Sequence, residues 1–263
     1  MEEIQGIAVF TEGNRSAKPL VFIHGFPMDH SMWKPQTDYF SKTCFVVSYD
    51  VRGLGRSRAE DGQYTLESYV DDLFAVMDGL KIGKAVVCGL SMGGYIALRG
   101  MERQPERFSG LVLCDTRSEA DSDEAKVKRA GTVGHLKKTG LAGFAQEFVK
   151  SVFSRKTLQT RPDFVEAAAG LIRKNSVTGV CGALLALAAR TDTTRGLEKI
   201  SVPTLVLVGQ EDKITPPSAA EAMQKKIPGA LLRAVPDASH FSNLDNPEVF
   251  NGFLDAFFRN IQK

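Results

Sequence analysis

"AVVCGLSMGG", residues 85–94, runs four strand-forming residues into a serine set among three glycines. Glycine weakens the interior of a strand and of a helix alike, so Gly89, Gly93 and Gly94 are placed for close approach rather than for regular structure. The stretch fits Gly-x-Ser-x-Gly, in which a strained serine occupies a sharp turn between a strand and a helix. Its flanks supply that context. "KAVVC" before it reads as a buried strand, and "YIALRGMERQ" after it reads as a helix. Ser91 is therefore the candidate nucleophile. A serine hydroxyl is weakly nucleophilic at neutral pH, so it requires a base, a group that orients the base, and donors for the developing oxyanion.

On both sides of the serine the chain has one rhythm. Apolar runs "PLVFIHG", "CFVVSYD", "KAVVCG" and "FSGLVLCD" alternate with helical patterns near 31–40, 66–80 and 92–104. That alternation specifies an α/β fold with a mainly parallel sheet flanked by helices. From about 118 to 196 strand patterns vanish and helical spacing takes over, with Leu141, Phe144, Ala145, Phe148, Val149 and Val152 forming one apolar stripe. Pro162 suits the first turn of a following helix. Sheet patterning returns in "PTLVLVG" and "ALLRAV", and a helix from Pro247 carrying Phe250, Leu254, Phe257 and Phe258 closes the chain. The expected organisation is a core domain of residues 1–117 and 197–263 interrupted by a helical unit at 118–196.

Composition narrows the function. At 263 residues with 43% apolar residues, the chain can bury a sizeable core, and a net charge of +2 gives no pull toward nucleic acid or anionic membrane. The acidic N-terminus "MEEIQGIAVF" lacks a signal or membrane-spanning pattern, so the expected location is cytoplasmic. Cys44, Cys88, Cys114 and Cys181 are widely spaced and read as buried free thiols. No His/Asp/Glu cluster has metal-ligand spacing, so no metal and no cofactor are expected. "DVRGLGRS", residues 50–57, fails the spacing of the known phosphate loops and reads as a hydrogen-bonded structural turn.

Four histidines make the search for a base short. His24 falls in a strand-end turn, where it reads as a brace; His30 precedes a helix; His135 lies in the helical unit. His240, in the loop "PDASHFSN" between the last strand and the last helix, is the candidate base. Asp212, in "LVLVGQEDKITPP", is the candidate acid, three residues past the glycine that ends the penultimate strand, and Asp115 at the end of "LVLCD" competes with it. The oxyanion donors expected for this arrangement are the backbone amides of Met92, after the nucleophile, and of Phe26 in "VFIHGFP".

"HGFPMDHSMW", "DVRGLGRS", "GLSMGGYIAL", "GQEDKITPP" and "SHF", in this order, resemble the α/β-hydrolase superfamily, closest to its bacterial carboxylesterases and 3-oxoadipate enol-lactonases. The resemblance spans nearly the whole chain. It implies an α/β-hydrolase fold: a mostly parallel eight-stranded sheet with a four-helix cap after the sixth strand, where the unit at 118–196 falls. "EEIQGIAVFTEG" leaves room for only a brief first strand, which predicts a stunted sheet edge. The implied activity is that of a serine hydrolase cleaving carboxylic esters through an acyl-enzyme, and the apolar residues expected around the site favour small, neutral substrates with short-to-medium acyl groups. The alternatives are an enol-lactonase and a non-enzymatic small-molecule receptor; the partner is a small ester or lactone in the first two cases. Phe26, Met92 and Phe241 beside the proposed site, with Phe144, Phe148 and Phe153 from the cap, predict apolar pocket walls. Arg117 and Arg190, near the two ends of the cap, are the positions for a carboxylate-binding cation, though each reads first as a solvated surface arginine.

Overall fold

The strands in chain order are β1 (Glu2–Ile4), β2 (Ile7–Glu12), β3 (Pro19–Ile23), β4 (Phe45–Tyr49), β5 (Ala85–Leu90), β6 (Phe108–Cys114), β7 (Thr204–Gly209) and β8 (Leu231–Val235). In the computed structural model, which describes residues 1–261, they form one sheet in the order β1-β2-β4-β3-β5-β6-β7-β8. β1 and β2 pair antiparallel with each other, as do β2 and β4; all other pairings are parallel. The eight strands are all present, and the first has only three residues, so the edge is short.

β5 shows why the apolar runs have no polar face. Ala85 and Val87 enter the core on one side of the sheet, while Val86, Cys88 and Leu90 enter the core on the other. A parallel strand covered by helices on both faces must be apolar along its whole length. The helices of the core are α1 (Lys34–Phe40), α2 (Leu66–Gly79) and α3 (Met92–Arg103). α2 opens with a capping box, in which Thr65 and Ser68 each bond the other's backbone amide.

Between β6 and β7 the chain forms α4 (Asp123–Thr139), α5 (Ala142–Val152), α6 (Arg155–Thr160), α7 (Pro162–Lys174) and α8 (Val177–Ala188). Five helices stand where the resemblance implied four. The extra one is the six-residue α6, isolated because the Ser154 side chain caps its start and Pro162 begins the next helix. After β7 come α9 (Pro217–Lys226), the short α10 (Ser242–Asp245) and α11 (Pro247–Asn260). Among the described residues no single helix is long and apolar enough to cross a membrane.

Candidate active site

Ser91 lies between β5 and α3 with φ +52°, a left-handed conformation that is strained for a residue with a side chain. Four hydrogen bonds hold it there. Its amide donates to the Cys114 carbonyl at 2.9 Å, and its carbonyl accepts from Gly94 N, Tyr95 N and Thr116 Oγ1 at 2.9, 3.2 and 2.9 Å. The glycines make that turn possible. A Cβ on Gly93 would lie 2.2 Å from the carbonyl oxygen of Ile23 in β3, so any side chain there would push α3 off the sheet.

The structure brings Ser91, His240 and Asp212 into one chain of hydrogen bonds. His240 Nε2 is 2.9 Å from Ser91 Oγ, and His240 Nδ1 is 2.9 Å from Asp212 Oδ2. Asp212 Oδ1 accepts from the amides of Ile214 and Thr215 at 2.8 and 3.0 Å, and Oδ2 also accepts from Thr215 Oγ1 at 2.7 Å. An ionised carboxylate donates nothing, so His240 Nδ1 must carry the proton, and Nε2 faces the serine hydroxyl as an acceptor. Burial pushes the Asp212 carboxyl up. The hydrogen bond and charge of His240, with the Thr215 hydroxyl and amide, outweigh that push and hold it below the ordinary carboxylate value.

Asp115 is left out of this chain. It is fully buried, its Oδ1 accepts from Gly209 N at 2.7 Å, and its Oδ2 meets Ser242 Oγ at 2.5 Å. Burial first, and the Asp212 charge second, push this carboxyl well above the ordinary range. Asp115 thus ties the end of β7 to the segment that follows His240. His24 is also a brace. Its Nε2 accepts from Val51 N at 2.8 Å, its Nδ1 faces the Gly25 carbonyl at 3.0 Å, and burial pushes its pKa down, so it stays neutral.

Met92 follows Ser91 as the first residue of α3, and Phe26 lies in the loop after β3 next to Gly25, on which a Cβ would stand 3.6 Å from that of Ser91. Above them a cavity of about 500 Å³ has Phe26, Tyr95, Phe144, Phe148, Leu184 and Ile214 in its wall. Phe148 stands edge-on to Phe26 with ring centres 6.0 Å apart. Three residues expected in the wall are elsewhere. Phe153 and Phe241 pack edge to face at 5.6 Å in the core, and the side chain of Met92, the first residue of α3, is fully buried. The expectation of apolar walls also needs correction, because Arg117, Lys128, Arg129, Arg190 and Lys213 line the same cavity with a single carboxylate, Asp121. Arg190 is not a solvated arginine. It is 5% exposed, pairs with Asp121 and lies 4.2 Å from the centre of the Tyr95 ring.

One cluster invisible to sequence spacing is formed by Asp29, His30 and Asp50, whose ligand-type atoms lie within 4.8 Å of one another. Both Asp50 oxygens and Oδ1 of Asp29 already accept hydrogen bonds. Asp50 accepts from the amide and Nδ1 of His30 and from Arg56 N, while Asp29 accepts from the amide and hydroxyl of Ser31. The cluster fixes the turn at 50–57, which Ser57 closes by donating to the Asp50 carbonyl and accepting from Ala8 N.

The family described as alpha/beta hydrolase fold matches residues 18–247. The chain belongs to this family. It is 31% identical over 252 residues to 3-oxoadipate enol-lactonase 2 of Acinetobacter baylyi, covering 96% of this chain and 92% of that one. A malate-bound esterase from Thermogutta terrifontis superposes with a TM-score of 0.94 at 35% identity, covering 98% and 94% of the two chains. The enol-lactonase of Burkholderia xenovorans gives 0.91 at 29% identity, covering 97% and 98%.

Two residues of this α/β-hydrolase's site escaped the sequence reading. Thr215 holds Asp212 with its amide and hydroxyl, and Asp-x-x-Thr in "DKIT" is an available signal for such a turn. Ser242, two residues after His240, carried no signal, since only the fold brings it to Asp115.

Proposed function

We propose that this α/β-hydrolase is a serine carboxylic-ester hydrolase, with Ser91 as nucleophile, His240 as base and then acid, and Asp212 as the group that orients His240. The observation that supports this reading is the unbroken contact from Ser91 Oγ through the imidazole to Asp212, with both steps at 2.9 Å. His240 takes the hydroxyl proton as Ser91 attacks the ester carbonyl, and the Met92 and Phe26 amides bind the oxyanion. The imidazolium then protonates the leaving alcohol, and water activated by the same imidazole hydrolyses the acyl-enzyme. Asp212 stabilises the imidazolium throughout. The helices of 118–196 act as a cap, with Phe144 and Phe148 closing the cavity over Phe26. A space of about 500 Å³ accommodates a small substrate rather than a long lipid chain.

A cyclic ester presents the same carbonyl to the same groups, and two of the relatives above are named enol-lactonases, so lactone cleavage is the second reading. The test is hydrolysis of p-nitrophenyl butyrate beside an enol-lactone by wild type and Ser91→Ala. The variant is expected to lose about 10⁶ in kcat while keeping its thermal midpoint. Near-wild-type turnover by the variant rejects the mechanism. A stable wild-type acyl adduct with negligible turnover points instead to a receptor.

A further inference from the structure

The five cations in the cavity wall are not equivalent. Arg190 gives Nη1 to Asp121 Oδ1 at 2.5 Å and to the Leu187 carbonyl at 3.1 Å, and Nη2 to the Glu119 carbonyl at 2.9 Å. Arg129 also binds Asp121, through Nε and Nη2. Two guanidiniums are therefore spent on the one carboxylate in the wall. Arg117 differs. It makes one hydrogen bond, from Nη2 to the Ile214 carbonyl at 2.7 Å, and among the described residues no carboxylate pairs with it. A guanidinium has five N–H donors, so four remain.

The position of Arg117 gives those donors a use. It follows β6 by three residues, is half-buried, and lines the cavity with its fork tied to Ile214, whose amide in turn bonds Asp212. Lys128 and Lys213 stand exposed on the same cavity and add attraction without fixed geometry. The whole chain carries only +2, so this excess is local and not the reflection of a basic protein.

We infer that the substrate carries a carboxylate remote from its scissile ester, and that Arg117, not Arg190, is the residue that binds it. This rests on the ester-hydrolase reading and replaces the neutral substrate expected from sequence. A planar fork already oriented by one bond can take a carboxylate through two parallel hydrogen bonds, which a lysine cannot do. Charged hydrogen bonds of this kind correspond to about 10- to 100-fold in affinity.

The test uses two substrates that differ by one charge: mono-p-nitrophenyl adipate and its methyl ester. The adipate spacing suppresses attack of the free carboxylate on its own ester. The wild type is expected to favour the anion in kcat/KM by about tenfold or more, chiefly through KM, and Arg117→Gln to lose that ratio while Arg117→Lys keeps part of it. Calorimetric titration with adipate reads the same site without turnover, and binding is expected to weaken by about tenfold or more in Arg117→Gln. Hydrolysis of the neutral diester with no preference for the anion, or an unchanged preference in Arg117→Gln, overturns the inference and leaves the hydrolase reading intact. If neither ester is cleaved the hydrolase reading falls, and the titration alone decides the carboxylate site: adipate binding that depends on Arg117 supports it, and binding that is absent or indifferent to Arg117 overturns it.

Discussion

Replacing Asp212 by asparagine should disable the site through a proton in the wrong place, with almost no change in shape. Oδ1 of Asp212 accepts two backbone amides, Ile214 N at 2.8 Å and Thr215 N at 3.0 Å, so an asparagine must keep its oxygen there. Its NH2 group then occupies the position of Oδ2 and points at His240 Nδ1, 2.9 Å away in the wild type. Two donors cannot face each other, so the imidazole shifts its proton to Nε2. Ser91 Oγ then meets an N–H instead of a base. The same exchange in a serine-protease triad costs about 10⁴ in kcat, and four decades correspond to about 5.4 kcal/mol of lost transition-state stabilisation. Asp115→Asn meets no such conflict. Its oxygen can keep the Gly209 amide, and its NH2 can donate to Ser242 Oγ, so a loss of less than about tenfold is expected, within the net worth of one hydrogen bond. Initial rates on p-nitrophenyl butyrate for both purified variants, with circular dichroism to verify folding, decide the matter. A larger loss for Asp115→Asn than for Asp212→Asn would refute the tautomer argument and move the acid to β6.

The buried Asp115 carboxyl also makes stability depend on pH. Its folded pKa is raised by burial and by Asp212, so above about pH 4 the unfolded chain releases a proton that the folded chain retains, and folding weakens as pH rises, by at most about 1.4 kcal/mol per pH unit. Asp115→Asn has no such proton, so its stability relative to wild type should increase from pH 5 to pH 8 in urea titrations; parallel curves would exclude a neutral Asp115. Gly93→Ala puts a methyl 2.2 Å from the Ile23 carbonyl oxygen, and separating α3 from β3 should cost about 1–3 kcal/mol together with most of the activity. A thermal midpoint within about 2 °C of wild type would show that the elbow tolerates the group.

Much of this protein is decided locally and can be read along the chain. Strands covered on both faces must be apolar throughout, so "KAVVC" and "LVLVG" announce a parallel sheet without reference to any neighbour. The serine elbow is legible for a similar reason, since its strain and its close approaches demand glycines at fixed offsets from Ser91. Elimination among four histidines leaves His240, and the structure places it against Ser91. The position of each acid required the third dimension. Asp115 and Asp212 both follow apolar parallel strands, β6 and β7, and only the pairing of those strands with each other and the path of the loop after β8 bring Asp212 to His240 and Asp115 to Ser242. The cavity walls were harder still. Phe153 and Phe241 are as apolar as Phe144 and Phe148, and what separates core from wall is the path of α5 over the site. Charge is the extreme case, because an arginine's role depends on which carboxylate lies beside it. Asp121 occupies Arg129 and Arg190 across distances of 8 and 69 residues in sequence, while among the described residues Arg117 pairs with no carboxylate. Sequence spacing carries no record of that pairing.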